Sequence, residues 1–273
     1  MATLHNLGLT VEDYIDYIRG KDLPSEKERL IEDHWSDPDF PWKQKSKTRM
    51  TFTGIDRKTD INALCAIQQE HPEVEFGVLI AKSRQGWEPR YPYFEHIIKL
   101  NGANLNLACH VCGRLARHII HTGDFTQLEN YLNGYINLFS RIQLNVSGMG
   151  PEELPESITF KAPSGIREII IQQHPDKPML LDRISLSNVP VSVLFDASGG
   201  LGIESEFKPV KANYRTGYAG GINPSNVQEK FLQLKNSGID GDFWIDMESG
   251  VRTDDWFDID KVKQVINIID KKL

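Results

Sequence analysis

From residue 49 onward the sequence repeats one unit, a short apolar, β-prone run followed by a longer helix-like stretch. The runs are "MTFTGI" (50–55), "EFGVLIA" (75–81), "NLNLACHV" (104–111), "RIQLNV" (141–146), "REIIIQQ" (167–173), "VSVLFDA" (191–197), "TGYAG" (216–220) and "DFWIDM" (242–247). Between them stand helical candidates such as "TDINALCAIQQEH", "RLARHIIH" and "PSNVQEKFLQLKNSG". Strand and helix alternating eightfold predict an α/β fold, a (β/α)8 TIM barrel. The competing architecture is an open doubly wound sheet, but no G-x-G-x-x-G follows the first strand. Two runs compete for the fifth strand, "SITFKA" (157–162) and "REIIIQQ". Spacing favours the second, with "DKPMLLDRIS" as the helix after it.

Residues 1–47 follow a different rhythm. Thr10 with Asp13 resembles a capping box before "VEDYIDYIR", and Gly20 stops that helix. Ser25 with Glu28 opens a second helix, whose Leu30, Ile31 and Trp35 share one apolar face. The chain therefore divides into a helical N-terminal extension (1–47) packed on the barrel and the barrel itself (48–273).

Composition narrows the function classes. A net charge of −7 over 273 residues argues against a nucleic-acid surface. No apolar run approaches the roughly 20 residues of a membrane span, and the N-terminus lacks the pattern of a secretory signal. Three cysteines (Cys65, Cys109 and Cys112) do not make a disulfide framework. The expectation is a cytoplasmic protein, a monomer or homodimer, with no membrane or nucleic-acid partner, no cofactor and no metal.

In a barrel the chemistry collects where the strands end. Those ends hold Thr53, Arg84, Cys109, His110, Cys112, Asn145, Gln172, His174, Asp196, the Gly220–Gly221 pair and Glu248–Ser249–Gly250. "GYAGGINPSNV" (217–227) joins two glycines, which free the backbone, to Asn223 as N-cap and Pro224 as first helical residue. It follows strand seven, and "MESGV" follows strand eight, the two places where barrels commonly hold phosphate. Gly220, Gly221, Ser249 and Gly250 are thus the candidate phosphate-binding residues, and a phosphorylated small molecule is the candidate ligand. "CHVC" lacks the ligand number and spacing of a zinc site, and alternation sends Cys109 and Cys112 to opposite faces of their strand. Cys109 and His110 are candidate bases.

Several of these segments together resemble the phosphoribosylanthranilate isomerase family: "TGIDRKTDINAL", "RIQLN", "VLFDASGGLG", "AGGINPSNV" and "IDMESGV", in order and in register over about residues 49–269. The resemblance implies a (β/α)8 barrel catalysing an Amadori rearrangement in tryptophan biosynthesis. It implies Asp196 as general acid, Gly199 and Gly200 in the substrate loop, and Arg84 as the substrate-contacting arginine, with Arg90 in "EPRYP" as its competitor. The sequence departs from the family at three places. The family's basic cysteine is Thr53 here, its Q-L-H-G histidine is Asn145, and Glu248 stands where a small residue is usual beside the phosphate loop. An aliphatic hydroxyl cannot replace a thiolate as base. Two functions follow: an isomerase of a phosphorylated sugar derivative with Asp196 as acid, or a catalytically diverged barrel that binds a phosphorylated metabolite or a partner protein.

Overall fold

The computed structural model describes residues 24–27, 29–30, 48–146, 148–175, 180–196, 198, 215–237 and 243–271. Apart from 24–27 and 29–30, the predicted extension lies outside them, as do the candidates Gly199 and Gly200.

The strands are β1 (Met50–Thr53), β2 (Val74–Ile80), β3 (Leu107–Cys112), β4 (Arg141–Asn145), β5 (Ile158–Phe160), β6 (Glu168–Gln173), β7 (Ile184–Ser187), β8 (Val191–Asp196), β9 (Thr216–Ala219), β10 (Phe243–Met247), β11 (Arg252–Thr253) and β12 (Trp256–Phe257). The main helices are α1 (Ile61–Glu70), α2 (Phe94–Ile98), α3 (Gly113–Thr122), α4 (Thr126–Tyr131), α5 (Val227–Asn236) and α6 (Ile259–Asp270).

β1, β2, β3, β4, β6, β8, β9 and β10 close into a barrel in which every neighbouring pair is parallel. The eight runs read from the sequence are these eight strands. Period-two alternation sorts their side chains. Val74, Phe76, Val78 and Ile80 of β2 join the main apolar core, as do Leu107, Cys109 and Val111 of β3. Glu75, Gly77 and Leu79, with His110 and Cys112, take the inner face. Helix ends are set by local chemistry. The Asp60 carboxylate accepts from the N–H groups of Asn62 and Ala63 to start α1, and Asp258 does the same for Asp260 and Lys261 at α6. α6 then buries Val262, Val265, Ile266 and Ile269.

The fifth unit departs from expectation. "REIIIQQ" is the barrel strand, but the described part of the segment expected as its helix (180–185) forms a 3-10 turn at Leu180–Arg183 and enters β7. β7 pairs in parallel with β5, the competing run, in a two-stranded sheet outside the barrel. The cause is local. Ile158 and Phe160 are buried, and the Asn188 amide holds both the N–H and the carbonyl of Ala162, at 2.8 and 3.1 Å. Gly123, at φ 68° after α3, lets this strand approach closely, since a Cβ there would lie 1.8 Å from the Thr159 carbonyl oxygen.

The lower barrel interior is charged, where branched apolar residues are usual. Arg141 Nε lies 3.5 Å from Glu75 and 3.2 Å from Glu168, and Arg215 lies 3.7 Å from Glu168. The Thr51 and Ser192 hydroxyls donate to the two carboxylates. Both guanidinium groups stack on Trp244, at 4.6 and 4.7 Å from its ring. Trp244 fits because Gly217 faces it, and a Cβ there would lie 2.2 Å from the indole. Such a network contributes little net stability but is costly to break. It fills the lower barrel and leaves the upper interior as the working space.

Candidate active site

A cavity of about 690 Å³ opens at the C-terminal ends of the strands. Of the residues that the sequence singles out, Thr53, Arg84, His110, Asn145, Asp196, Gly220, Gly221, Ser249 and Gly250 all line it. Cys109 does not: it is fully buried in the core outside the strands, and burial pushes its thiol pKa up. Its candidacy as base is corrected, for the reason that alternation gives: Cys112, and not Cys109, faces the cavity. His174 is also absent from the lining.

Asp196 ends β8 and is buried. Its Oδ2 accepts from Gln172 Nε2 at 2.7 Å, and its Oδ1 accepts from the Ser198 N–H and hydroxyl at 2.9 and 2.7 Å. The carboxyl is therefore fixed in direction at the cavity wall.

Across β9 from Asp196 stands Asp246, a residue of the "IDMESGV" motif that sequence reasoning passes over. Asp196 pairs in register with Ala219, and Ile245 with Tyr218, so the two aspartates flank Ala219 at one level of the barrel. With strands about 4.8 Å apart, their backbones are about 10 Å apart, and the small alanine leaves the space between open. The Thr53 hydroxyl donates to Asp246 Oδ1 at 2.8 Å. Burial pushes the Asp246 carboxyl up to about 8, against the Thr53 hydrogen bond and with help from Glu248 and Glu75. Alternation is the signal that finds it: Trp244, Asp246 and Glu248 share the inner face, opposite Phe243, Ile245 and Met247.

His110 sits deeper, its Nδ1 3.1 Å from Gln143 Nε2 and 3.5 Å from Thr53 Oγ1. Gly77 makes room for it, since a Cβ there would lie 2.6 Å from Thr53 Oγ1 and 3.0 Å from His110 Nε2. Burial and the Arg141 charge lower His110 to about 3, so the ring is neutral at ordinary pH. Asn145 donates to Cys112 Sγ at 3.3 Å, and burial raises that thiol to about 11.

The mouth carries two arginines. Arg84 is more than half exposed and reaches the Tyr91 hydroxyl at 3.3 Å and Glu88 at 3.6 Å. Arg90 is more enclosed and donates to Glu248 at 2.6 Å and to Asp255 at 2.5 Å. The carboxylate of Glu248 is therefore directed toward the loop after β2.

Opposite lies the glycine-rich pair of loops. Gly220 and Gly221 hold φ values of 120° and 64°, which favour glycine. Asn223 and Asn226 form a reciprocal cap. Asn223 Oδ1 accepts from the Ser225 N–H and hydroxyl, while Asn226 Oδ1 accepts from the Asn223 N–H at 2.9 Å. α5 proper begins at Val227, one turn later than Pro224 suggests, although Val227 N already bonds Asn223 O at 2.9 Å. The second loop makes a 3-10 turn over Ser249–Val251, whose leading N–H groups have no partner within the turn. Gly250 sits so close that a Cβ would lie 1.9 Å from the Ile222 carbonyl oxygen. The two loops are thus packed as one unit, backbone against backbone.

Residues 149–268 match the family described as "N-(5'phosphoribosyl)anthranilate (PRA) isomerase". The resemblance carried by the motifs holds over that stretch. No curated protein matches the chain. Among solved structures, phosphoribosyl anthranilate isomerase from Thermus thermophilus is similar at 14% identity and a TM-score of 0.49, over 83% of this chain and 100% of that one. The isomerase from Pyrococcus furiosus is similar at 14% identity and 0.49, over 82% and 99%. That from Thermococcus kodakaraensis is similar at 13% and 0.47, over 81% and 98%.

Proposed function

We propose that this barrel is an intramolecular oxidoreductase that isomerises an aldose to a ketose on a phosphorylated aminosugar, an Amadori-type rearrangement as in the phosphoribosylanthranilate isomerases. The observation that carries this reading is one cavity with a fixed carboxyl, Asp196, on one wall and a paired set of backbone donors, at 220–221 and 249–250, beside it. The donors suit a phosphate: backbone N–H groups and a helix start bind an anion without a lysine. Asp196 is the general acid. It protonates the furanose ring oxygen, the C1′–O bond breaks, and the nitrogen lone pair forms the C1′=N⁺ bond. Arg84 or Arg90 faces the end of the substrate remote from the phosphate, and Asn145 with Gln143 lies beneath it. Glu248 does not oppose the phosphate, because its charge is engaged by Arg90.

A second reading, a barrel that binds such a ligand without turning it over, draws support from the loss of basicity at two candidates. Thr53 commits its hydroxyl to Asp246, and His110 is held near 3. Incubation with N-(5′-phosphoribosyl)anthranilate separates the two. The isomerase reading expects conversion by the wild type and a fall of about 10²–10⁴-fold in Asp196→Asn with binding retained. Binding of the substrate with no conversion by the wild type selects the second reading.

A further inference from the structure

We infer that Asp246 is the general base of this site, presented to the substrate by the Thr53 hydroxyl. This rests on the isomerase reading above and supplies the proton acceptor that reading lacks.

The geometry favours Asp246 over every other group in the cavity. It is buried on the inner face of β10, lines the cavity, and among the described residues has one hydrogen bond, from Thr53 to Oδ1. Oδ2 is left to face the cavity. Asp246 stands opposite Asp196 across Ala219, so a sugar between them meets one carboxyl on each side. Glu248 is engaged by Arg90, and Asn145 donates to the Cys112 sulfur. The His110 Nε2 is buried close to Gly77, with no hydrogen-bond partner among the described residues.

The electrostatics agree with the geometry. An ordinary carboxylate is a weak base toward a C–H bond, and raising its pKa toward the working pH strengthens it. Asp246 is raised to about 8, whereas His110 near 3 binds a proton too weakly and Cys112 near 11 stays a thiol. The charged and titratable groups facing Asp246 are Glu75 on β2, His110 on β3, Arg141 on β4, Asp196 on β8 and Glu248 at the end of β10. Burial and the two glutamates push the carboxyl up, while Thr53 and Arg141 restrain it.

The Asp246 carboxylate takes the proton from C2′ of the protonated Schiff base. The C2′–H bond breaks and its electron pair forms C1′=C2′. The C1′=N⁺ pair returns to nitrogen, giving a neutral enaminol and a neutral carboxylic acid. The enaminol then becomes the ketone: C1′ takes a proton from water, the C2′ hydroxyl gives its proton to the Asp196 carboxylate left by ring opening, and Asp246 releases its proton to water, so that both carboxyls return to their starting forms.

The test is the pH dependence of kcat/KM for N-(5′-phosphoribosyl)anthranilate, in wild type, Asp246→Asn and Thr53→Val. The active form carries a proton on Asp196 and none on Asp246, so the wild-type profile should be bell-shaped, with its alkaline limb near 8, where the pair of carboxyls loses its last proton. Asp246→Asn should lose about 10²–10⁴-fold in kcat with little change in KM, and should keep the wild-type thermal stabilisation by inorganic phosphate, which shows that it is folded. In Thr53→Val the alkaline limb should move to higher pH, since the bond that favours the carboxylate is gone. A residue with a merely structural role would not shift that limb. A wild type that converts substrate while Asp246→Asn keeps most of its kcat overturns this assignment alone. An alkaline limb that does not move in Thr53→Val also overturns it. A wild type with no conversion overturns the isomerase reading and this one together.

Discussion

Arg90, in the loop after β2, donates to Glu248 at the end of β10 across 2.6 Å, tying together two places 158 residues apart in the chain. The same guanidinium reaches Asp255, and the two bonds make one clamp over the barrel mouth. Glu248 immediately precedes the proposed backbone donors at Ser249 and Gly250, so on the proposed reading the clamp sets how much negative charge a phosphate there meets. A unit charge about 8 Å from a phosphate, in an effective dielectric of about 20–80, is worth roughly 0.5–2 kcal/mol. Arg90→Ala should therefore weaken inorganic phosphate binding by about 2–30-fold, and Glu248→Gln should tighten it by a similar factor. Calorimetric titration at low and moderate salt checks both. Equal affinities in all three proteins would mean that the phosphate sits elsewhere.

Gly250 tests the packing of the two loops. Its close neighbour is a backbone oxygen, that of Ile222, which cannot rotate out of the way as a side chain can. Gly250→Ala forces the loops apart. A loss of about 1–3 kcal/mol is expected, seen as a melting temperature lower by about 3–10 °C, together with loss of phosphate binding. Unchanged melting and unchanged phosphate affinity would contradict the close approach.

Asp246 also leaves a signature in stability. Its folded pKa of about 8 lies above the ordinary carboxylate value near 3.9, so the unfolded chain ionises first as pH rises. Between about pH 4 and 8 the folded state holds a proton that the unfolded state has released, and stability falls with rising pH through that window. Above about 8 the two states are alike again and the loss is complete. His110 acts with the opposite sign: its folded value near 3 makes the protein lose stability as pH falls below about 6.5. Asp246→Asn removes the first effect alone. The variant should gain on the wild type from about pH 5 to pH 8, by up to a few kcal/mol, in denaturant titrations at the two pH values. A constant difference between the two proteins would show that Asp246 does not titrate in this range.

Much of the fold is legible in the amino-acid sequence. Eight β-prone runs lie where eight barrel strands lie, because parallel strands buried on both faces must be apolar enough to read as runs. The Gly220–Gly221 pair and "ESG" are legible as a loop pair because glycine and caps act locally. What escapes depends on distance in the chain. The charged floor pairs Arg141 with Glu75 and Glu168, and only closure of the barrel reveals that these three share a layer. The expected fifth helix gives way to a strand because β5 and β7 find each other outside the barrel, a pairing that Gly123 and Asn188 permit and no periodicity announces. Asp246 is hidden inside a recognisable motif, since its partner Thr53 lies 193 positions away.

Turnover of N-(5′-phosphoribosyl)anthranilate in deuterated water brings the proton acceptor and the proton donor under one observation. The proposed chemistry removes hydrogen from C2′ and restores a proton at C1′, so the ketose product formed by the wild type should carry solvent deuterium at C1′. In Asp196→Asn, product formation should drop by about 10²–10⁴-fold with substrate affinity retained. A ketose formed with no solvent deuterium would contradict proton transfer through an exchangeable carboxyl, and a wild type that binds the substrate and forms no ketose would contradict the isomerase itself.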